Sequence, residues 1–184
     1  MTRRLFLTGA IGCGKSTAIE RALGDRLKTL GGFRTRRLMG TDGHPVAFYL
    51  ESPDGSGKET FLNFSSGKPE LDLQVFSRAS LLGSVLILDE IGGIELLNPD
   101  FTAALESILN SGTPIIGVMK GPGPAGALIR ALGLTEKYET AAEALRSFLK
   151  NDPETMLYEC GQYDENARLL AEQGAEEYLH DELL

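Results

Sequence analysis

Hydrophobic and polar residues along this chain alternate between helical and strand-like spacing. After residue 15 the apolar side chains recur every three or four positions, at Ala18, Ile19, Ala22, Leu23 and Leu27. This spacing predicts a helix over residues 15–30 with one buried face, ended by the glycine pair at 31–32. Residues 85–88 and 114–119 are instead continuous apolar runs, as is typical of strands buried on both faces of a sheet.

The remaining pattern predicts an alternation of strands and helices. Turn-forming residues at 40–43 and 52–57 separate short apolar segments, so residues 33–64 are predicted to be an antiparallel β-rich insert. Strands are predicted at 4–8, 33–38, 46–50, 59–64, 85–88, 114–119 and 137–140. Helices are predicted at 15–30, 70–82, 99–110 (after the N-cap Asn98), 125–132, 141–150 and from 153 onward. This order predicts a three-layer α/β/α fold with a mainly parallel sheet.

Length and composition predict one domain over residues 1–184, with a helical extension at 153–184. Hydrophobic residues make up 42% and charged residues 24%, as in ordinary globular proteins. The formal net charge of −8 argues against a general nucleic-acid surface. No apolar stretch approaches the ~18 residues of a membrane span, and the N-terminal one is too short for a signal peptide. We therefore expect a cytoplasmic protein.

Residues 9–16, GAIGCGKS, match the phosphate-loop pattern G-x-x-x-x-G-K-[ST]. They follow a short apolar strand and precede the first predicted helix, which is the context that the pattern requires. In that setting backbone N–H groups surround a polyphosphate, and the positive end of the helix points at the same anion. The residues expected to bind a nucleoside triphosphate are Gly9, Gly12, Cys13, Gly14, Lys15, Ser16 and Thr17.

Four residues carry the predicted chemistry. Lys15 is expected to reach the β- and γ-phosphates, and the Ser16 hydroxyl to bind Mg²⁺. Asp89 directly follows the apolar run 85–88. An aspartate at the carboxyl end of such a buried strand is where phosphate-loop proteins hold this ion. Glu90 follows directly and can orient and deprotonate a water for attack on the γ-phosphate. The predicted catalytic residues are Lys15, Asp89 and Glu90, and the predicted metal ligands are Ser16 and Asp89.

An arginine near the γ-phosphate would stabilise the negative charge that builds up during phosphoryl transfer. The candidates are Arg34, Arg36, Arg37, Arg78 and Arg130. The sequence does not select among them.

The chain has two cysteines, Cys13 and Cys160, without the spacing of a metal or redox motif. We interpret Cys13 as a small residue that fills the phosphate loop. A redox switch is the alternative, because a thiol near a helix N-terminus can be acidified.

Three motifs together resemble the small P-loop nucleoside-triphosphatases first described from thermophiles, a family with a human cancer-related member. They are the loop at 9–16, the GFRT stretch at 32–35 and the DEIGGIEL stretch at 89–96. Phe101 and the KYE stretch at 137–139 are also similar to the family. The resemblance covers roughly residues 3–150, and the DEIG stretch is its specific part.

The resemblance implies Mg²⁺-dependent hydrolysis of ATP, GTP and other nucleoside triphosphates, with Asp89 and Glu90 in the roles given above. The chain also departs from the family pattern. Gly93 replaces a common lysine, Arg37 and Met39 stand in place of an acid and an arginine, and residues 120–124 replace a more basic segment. These departures leave the preferred base and the turnover open.

Two other functions fit the same motifs. A nucleotide or small-molecule kinase would need an acceptor pocket and usually an arginine-rich lid, whereas residues 51–69 contain only Lys58 and Lys68 as basic residues. A slow nucleotide-dependent switch would engage an unidentified protein partner through the insert or the acidic C-terminal segment.

Overall fold

The computed structural model describes residues 2–121, 126–162 and 164–180. Within these ranges eight strands form one sheet: β1 (Arg4–Gly9), β2 (Gly31–Met39), β3 (Pro45–Glu51), β4 (Lys58–Asn63), β5 (Glu70–Leu71), β6 (Leu86–Ile91), β7 (Ile115–Met119) and β8 (Thr155–Cys160). Their order across the sheet is β5-β4-β3-β2-β6-β7-β1-β8. The five strands β2, β6, β7, β1 and β8 are parallel to one another. Beyond β2, the strands β3, β4 and β5 extend the sheet with antiparallel pairings. This arrangement confirms the predicted mainly parallel sheet and its antiparallel insert.

Helices cover both faces of the sheet. They are α1 (Lys15–Leu23), α2 (Gln74–Arg78), α3 (Pro99–Ser111), α4 (Ala127–Ala131), α5 (Thr135–Asn151) and α6 (Glu165–His180). Alternate residues of β1 separate the two cores: Leu5 and Leu7 pack with α1 and α6, whereas Phe6 packs with α3 and α5. The predicted three-layer α/β/α fold is therefore confirmed. No helix in the described ranges is long and apolar enough to cross a membrane.

The predicted start of α3 is confirmed. The Asn98 side-chain oxygen accepts hydrogen bonds from the backbone N–H groups of Asp100 at 2.9 Å and Phe101 at 3.1 Å. These bonds satisfy backbone N–H groups that have no acceptor inside the helix. Pro99 has no backbone N–H and therefore needs no acceptor.

Two predicted helices are shorter than expected. The predicted helix 70–82 is wrong at its start, because Glu70–Leu71 forms β5 and pairs with Leu62 and Asn63 of β4. Only Gln74–Arg78 is helical. The first helix ends at Leu23, and the chain continues as a 3₁₀ helix over Gly24–Thr29. Residues 122–124 of the predicted loop, and residue 125 at the predicted start of the next helix, lie outside the described residues.

The C-terminal part of the chain corrects two further predictions. Residues 137–140 are not a strand, because they lie inside α5. The helix predicted from 153 onward is wrong for Thr155–Cys160, which forms β8 and pairs in parallel with β1. This long-range pairing places the segment at the edge of the sheet, and the helical part begins only at Glu165.

A buried arginine links the first strand to later parts of the chain. Arg4, in β1, is 3% exposed. Its guanidinium donates to the Asp152 carboxylate at 2.7 Å and to the Leu109 carbonyl at 2.6 Å. The strand that leads into the phosphate loop is therefore anchored both to α3 and to the segment before β8.

Candidate active site

The carboxyl ends of β1, β2 and β6 meet at one edge of the sheet, as the parallel pairings require. The phosphate loop leaves β1 at this edge and enters α1. Asp89 and Glu90 lie near the end of β6, and Arg34 of β2 is the register partner of Asp89. The next residues of β2 therefore extend beyond the carboxylates towards the loop.

A cavity of about 480 Å³ lies at this edge. Among the predicted site residues, those that line it are Gly12, Gly14, Lys15, Ser16, Thr17, Asp89 and Glu90. Two of the candidate arginines, Arg36 and Arg37, also line it, and the structure adds Ile11, Thr35, Met39 and Val118. Gly9 and Cys13 lie elsewhere on the loop, and Cys13 lines a second cavity. The volume suits a small-molecule ligand. A larger cavity of about 620 Å³ between α3 and α5 is lined mainly by apolar side chains and lies apart from these residues.

The backbone of the phosphate loop adopts conformations that favour glycine. Gly12 and Gly14 have φ angles of +80° and +100°, and Gly14 is the N-cap of α1. Residues with a Cβ rarely adopt such angles, which explains the glycines at these positions. The Lys15 ammonium donates to the carbonyls of Gly9 at 3.1 Å and Ala10 at 2.7 Å. The lysine is thus held beside the loop, where an anion would sit.

Ser16 and Asp89 form a pair of oxygen donors. The Ser16 hydroxyl donates to the Asp89 carboxylate at 2.8 Å, and Asp89 is 2% exposed. Burial, together with the charge of Glu90, raises the pKa of Asp89 to about 6. A cation would stabilise the ionised form of this buried carboxylate. The pair fits Mg²⁺, which needs only one or two protein carboxylates because phosphates and water supply its other ligands. The described residues contain no cluster of three His, Cys, Asp or Glu side chains that could hold a metal ion.

The structure separates the candidate arginines. Arg34 is held by Glu51 at 2.5 Å, and Arg78 pairs with Glu59 at 2.7 Å on the surface. Within the described part of the chain, Arg36 and Arg37 are the candidates that line the cavity.

The two arginines at the cavity differ in their partners. Arg36 is bound by Glu20 at 2.5 Å and by Glu51 at 3.3 Å. Arg37 lies over the Phe48 ring at 5.9 Å and makes no ion pair with the described residues. Arg37 is therefore the guanidinium most available to an anionic ligand.

A buried carboxylate supports the turn that follows Glu90. Glu95 is 3% exposed and accepts a hydrogen bond from the Gly93 N–H at 2.7 Å. The Tyr138 hydroxyl donates to the Gly92 carbonyl at 3.2 Å from α5. Burial raises the pKa of Glu95 to about 7.

Replacing Glu95 with glutamine should make the stability of the protein less dependent on pH. The pKa of Glu95 in the folded state lies above the ordinary value of 4.5. Protonation of Glu95 therefore contributes its full stability below pH 4.5, and this contribution is lost as pH rises through about 7. The loss corresponds to about 3 kcal/mol. Thermal melts of the nucleotide-free protein between pH 5 and 8 should show a smaller decrease in Tm for Glu95→Gln. The exposed Glu106→Gln variant should follow the wild-type profile, and an equal decrease in all three proteins would contradict this role.

The fold and the cavity define a class of protein: a nucleotide-binding protein with a phosphate loop between β1 and α1 and an acidic residue at the end of a buried strand. The family model described as NTPase matches residues 4–149. The chain therefore belongs to this NTPase family.

Curated relatives and a solved structure agree with this assignment. Nucleoside-triphosphatase THEP1 of Methanosarcina acetivorans is 29% identical over 133 residues, which span 63% of this chain and 75% of the relative. Nucleoside-triphosphatase THEP1 of Thermotoga petrophila is 32% identical over 130 residues, spanning 64% and 72%. The solution structure of a human cancer-related nucleoside triphosphatase covers 94% of this chain and 95% of its own, with a TM-score of 0.62 at 22% identity. This last similarity supports the fold.

The sequence patterns did not identify every residue at the site. They left the choice among the arginines open and gave no role at the site to Thr35 or Met39, which line the cavity. They also did not place Cys160 beside the phosphate loop. The spacing of Met156, Tyr158 and Cys160 at every second position was a usable strand signal for β8.

Proposed function

We propose that this protein hydrolyses the γ-phosphate of ATP, GTP and other nucleoside triphosphates with Mg²⁺, using a water oriented by Glu90. The observation that supports this proposal is the single cavity that joins Lys15 and Ser16 of the phosphate loop to Asp89 and Glu90. The anion-binding loop and the carboxylates thus serve the same ligand. We propose that the protein acts in the cytoplasm, where nucleoside triphosphates and Mg²⁺ are abundant.

The loop would bind the triphosphate through its backbone N–H groups and the N-terminal end of α1. Lys15 would exchange its bonds to the carbonyls of Gly9 and Ala10 for bonds to the β- and γ-phosphates. Ser16 and Asp89 would hold Mg²⁺, which when bound neutralises charge on the phosphate oxygens.

Glu90 would act on the attacking water. Its side chain lines the cavity next to the buried Asp89, so the two neighbouring carboxylates have different environments. The Glu90 carboxylate would accept a hydrogen bond from the water and then take the proton of that water. The positive charges of Lys15 and Arg37 would stabilise the γ-phosphoryl group while it transfers.

Replacing Arg37 with alanine should lower kcat by about tenfold to a hundredfold, because its positive charge would be lost from the cavity during phosphoryl transfer. The effect on KM should be smaller, since Lys15 and the loop backbone remain. Steady-state phosphate release measures both constants. Arg78→Ala, which removes an exposed arginine outside the cavity, serves as the matched control. Equal rates for the two variants would contradict a role for Arg37.

A kinase reaction is disfavoured by the segment where a lid would be expected. Within residues 51–69, the end of β3 and the whole of β4 belong to the sheet, and the basic side chains are Lys58 and Lys68, so the segment lacks the arginines of a kinase lid. Glu90 beside Asp89 also favours water as the acceptor.

Phosphate release from ATP, GTP, CTP and UTP, with Mg²⁺ and with excess chelator, tests the proposed function. We expect release that depends on Mg²⁺ and needs no added acceptor. Binding of nucleotide without release would contradict the proposal and favour the switch. Stimulation of ADP formation by a phosphoryl acceptor would favour the kinase.

A further inference from the structure

The two cysteines of the chain are distant in sequence but close in the structure. Cys13 lies in the phosphate loop, and Cys160 is the last residue of β8, where its register partner is Gly9 of β1. The side chains are 7% and 6% exposed and belong to the same hydrophobic cluster. Both line a cavity of about 410 Å³ that α1 and α6 border. Burial raises the pKa of Cys160 to about 11, and the Cys13 thiol is the next largest cause.

The two thiols have different electrostatic surroundings. The Lys15 ammonium donates to the Cys13 sulfur at 3.5 Å, and Cys13 directly precedes the residue that caps the N-terminus of α1. Cys160 lies at the end of the edge strand β8, beside apolar side chains. Because burial raises the pKa of the Cys160 thiol, we assign the first attack to Cys13 and the second to Cys160.

We propose that Cys13 and Cys160 form an oxidation site, at which hydrogen peroxide generates an intrachain disulfide that closes the triphosphate site. In the first step the Cys13 thiolate attacks one peroxide oxygen, the O–O bond breaks, and a sulfenic acid and hydroxide form. In the second step the Cys160 sulfur attacks the sulfenic sulfur, the S–S bond forms and water leaves. In total, two thiols lose two electrons and two protons, and peroxide is reduced to two waters.

The bond would tie the middle of the phosphate loop to the end of β8. Cys13 is one of the loop residues whose backbone N–H is expected to face the phosphates, and its sulfur contacts the ammonium of Lys15. A covalent bond at this sulfur removes that contact and restricts the loop. Oxidation should therefore weaken triphosphate binding and turnover. The effect on turnover rests on the proposed function, whereas formation of the bond does not.

The test compares reduced wild-type protein with Cys160→Ala and Cys160→Ser, each before and after treatment with hydrogen peroxide. Free thiols are counted, the linked peptides are identified by mass spectrometry, and nucleotide binding and phosphate release are measured. We expect the wild type to fall from two free thiols to none, with a peptide joining Cys13 to Cys160. Triphosphate affinity and turnover should fall by about tenfold or more, since contacts to a charged ligand are lost. Dithiothreitol should restore both.

The Cys160 variants separate this bond from other damage. Both should retain the turnover of the reduced wild type, and after brief peroxide treatment followed by a disulfide reductant they should recover it, without a linked peptide at any stage. Persistence of two free thiols in the wild type under excess peroxide would overturn the proposal, as would a linked protein that binds triphosphate normally. If reduced wild type binds nucleotide but releases no phosphate, the proposed function fails, and the thiol count and the binding measurement still decide the oxidation site.

Discussion

Replacement of Glu90 by glutamine should lower kcat by about 10²- to 10⁴-fold, the range that general acid–base catalysis contributes. Glutamine has nearly the same shape and still forms hydrogen bonds, but it does not accept the proton of the attacking water. Glu90 is partly exposed and lines the cavity, so the substitution should leave the fold intact. Nucleotide binding in the presence of Mg²⁺ should persist, because the loop, Ser16 and Asp89 are unchanged.

Two measurements on the same preparation test this result: phosphate release under saturating nucleotide, and binding of a fluorescent nucleotide at equilibrium. Glu139→Gln, an exposed glutamate on α5, controls for the loss of one negative charge. Wild-type kcat in Glu90→Gln would show that another group activates the water. Loss of binding together with kcat would instead assign Glu90 to nucleotide or metal affinity.

Replacement of Lys15 by alanine should weaken triphosphate binding and lower turnover at the same time. A hydrogen bond to a charged group contributes about 1.5–3 kcal/mol, which corresponds to roughly tenfold to 150-fold in affinity. Loss of a charge aimed at the transferring phosphoryl group should lower kcat by a further factor of about 10²–10³. Titration of nucleotide and steady-state phosphate release measure the two effects separately.

Lys28→Ala is the matched control for Lys15→Ala. Lys28 follows α1, is exposed, and pairs only with Asp25 among the described residues. Its removal should change neither constant. Because Lys15 is 9% exposed and bonds to two loop carbonyls, thermal melts should accompany the assay. A folded Lys15→Ala protein with wild-type affinity would contradict the assignment of the cavity to the triphosphate.

The parts of the site that the sequence predicted are those encoded by local spacing. The phosphate loop, the first turns of α1 and the run ending at Asp89 are contiguous patterns, and the chain itself fixes the order of their residues. The N-cap Asn98 was predictable for the same reason. The assignment of Gly12, Gly14, Lys15, Ser16, Asp89 and Glu90 to individual catalytic and binding roles remains a prediction, which the variants above test.

The parts that the sequence did not predict depend on contacts between distant segments. Glu70–Leu71 has no strong local signal, and Thr155–Cys160 has only the short alternation noted above; each becomes a strand because a partner edge of the sheet satisfies its backbone groups. The choice between Arg34 and Arg37 likewise depends on Glu51, which lies opposite Arg34 on the adjacent strand and binds its guanidinium. Helical spacing alone did not distinguish 137–140 from a strand, and packing in α5 decided it.

The position of β8 has a consequence for how much of the chain can fold autonomously. The match to the family model ends at residue 149, before β8 and before Asp152, which binds the buried Arg4. A chain truncated at that point would leave β1 as an open edge and its arginine without this carboxylate. Unpaired edges are templates for self-association, and an uncompensated buried charge destabilises the strand that bears it. The C-terminal segment thus protects the strand that leads into the phosphate loop from aggregation.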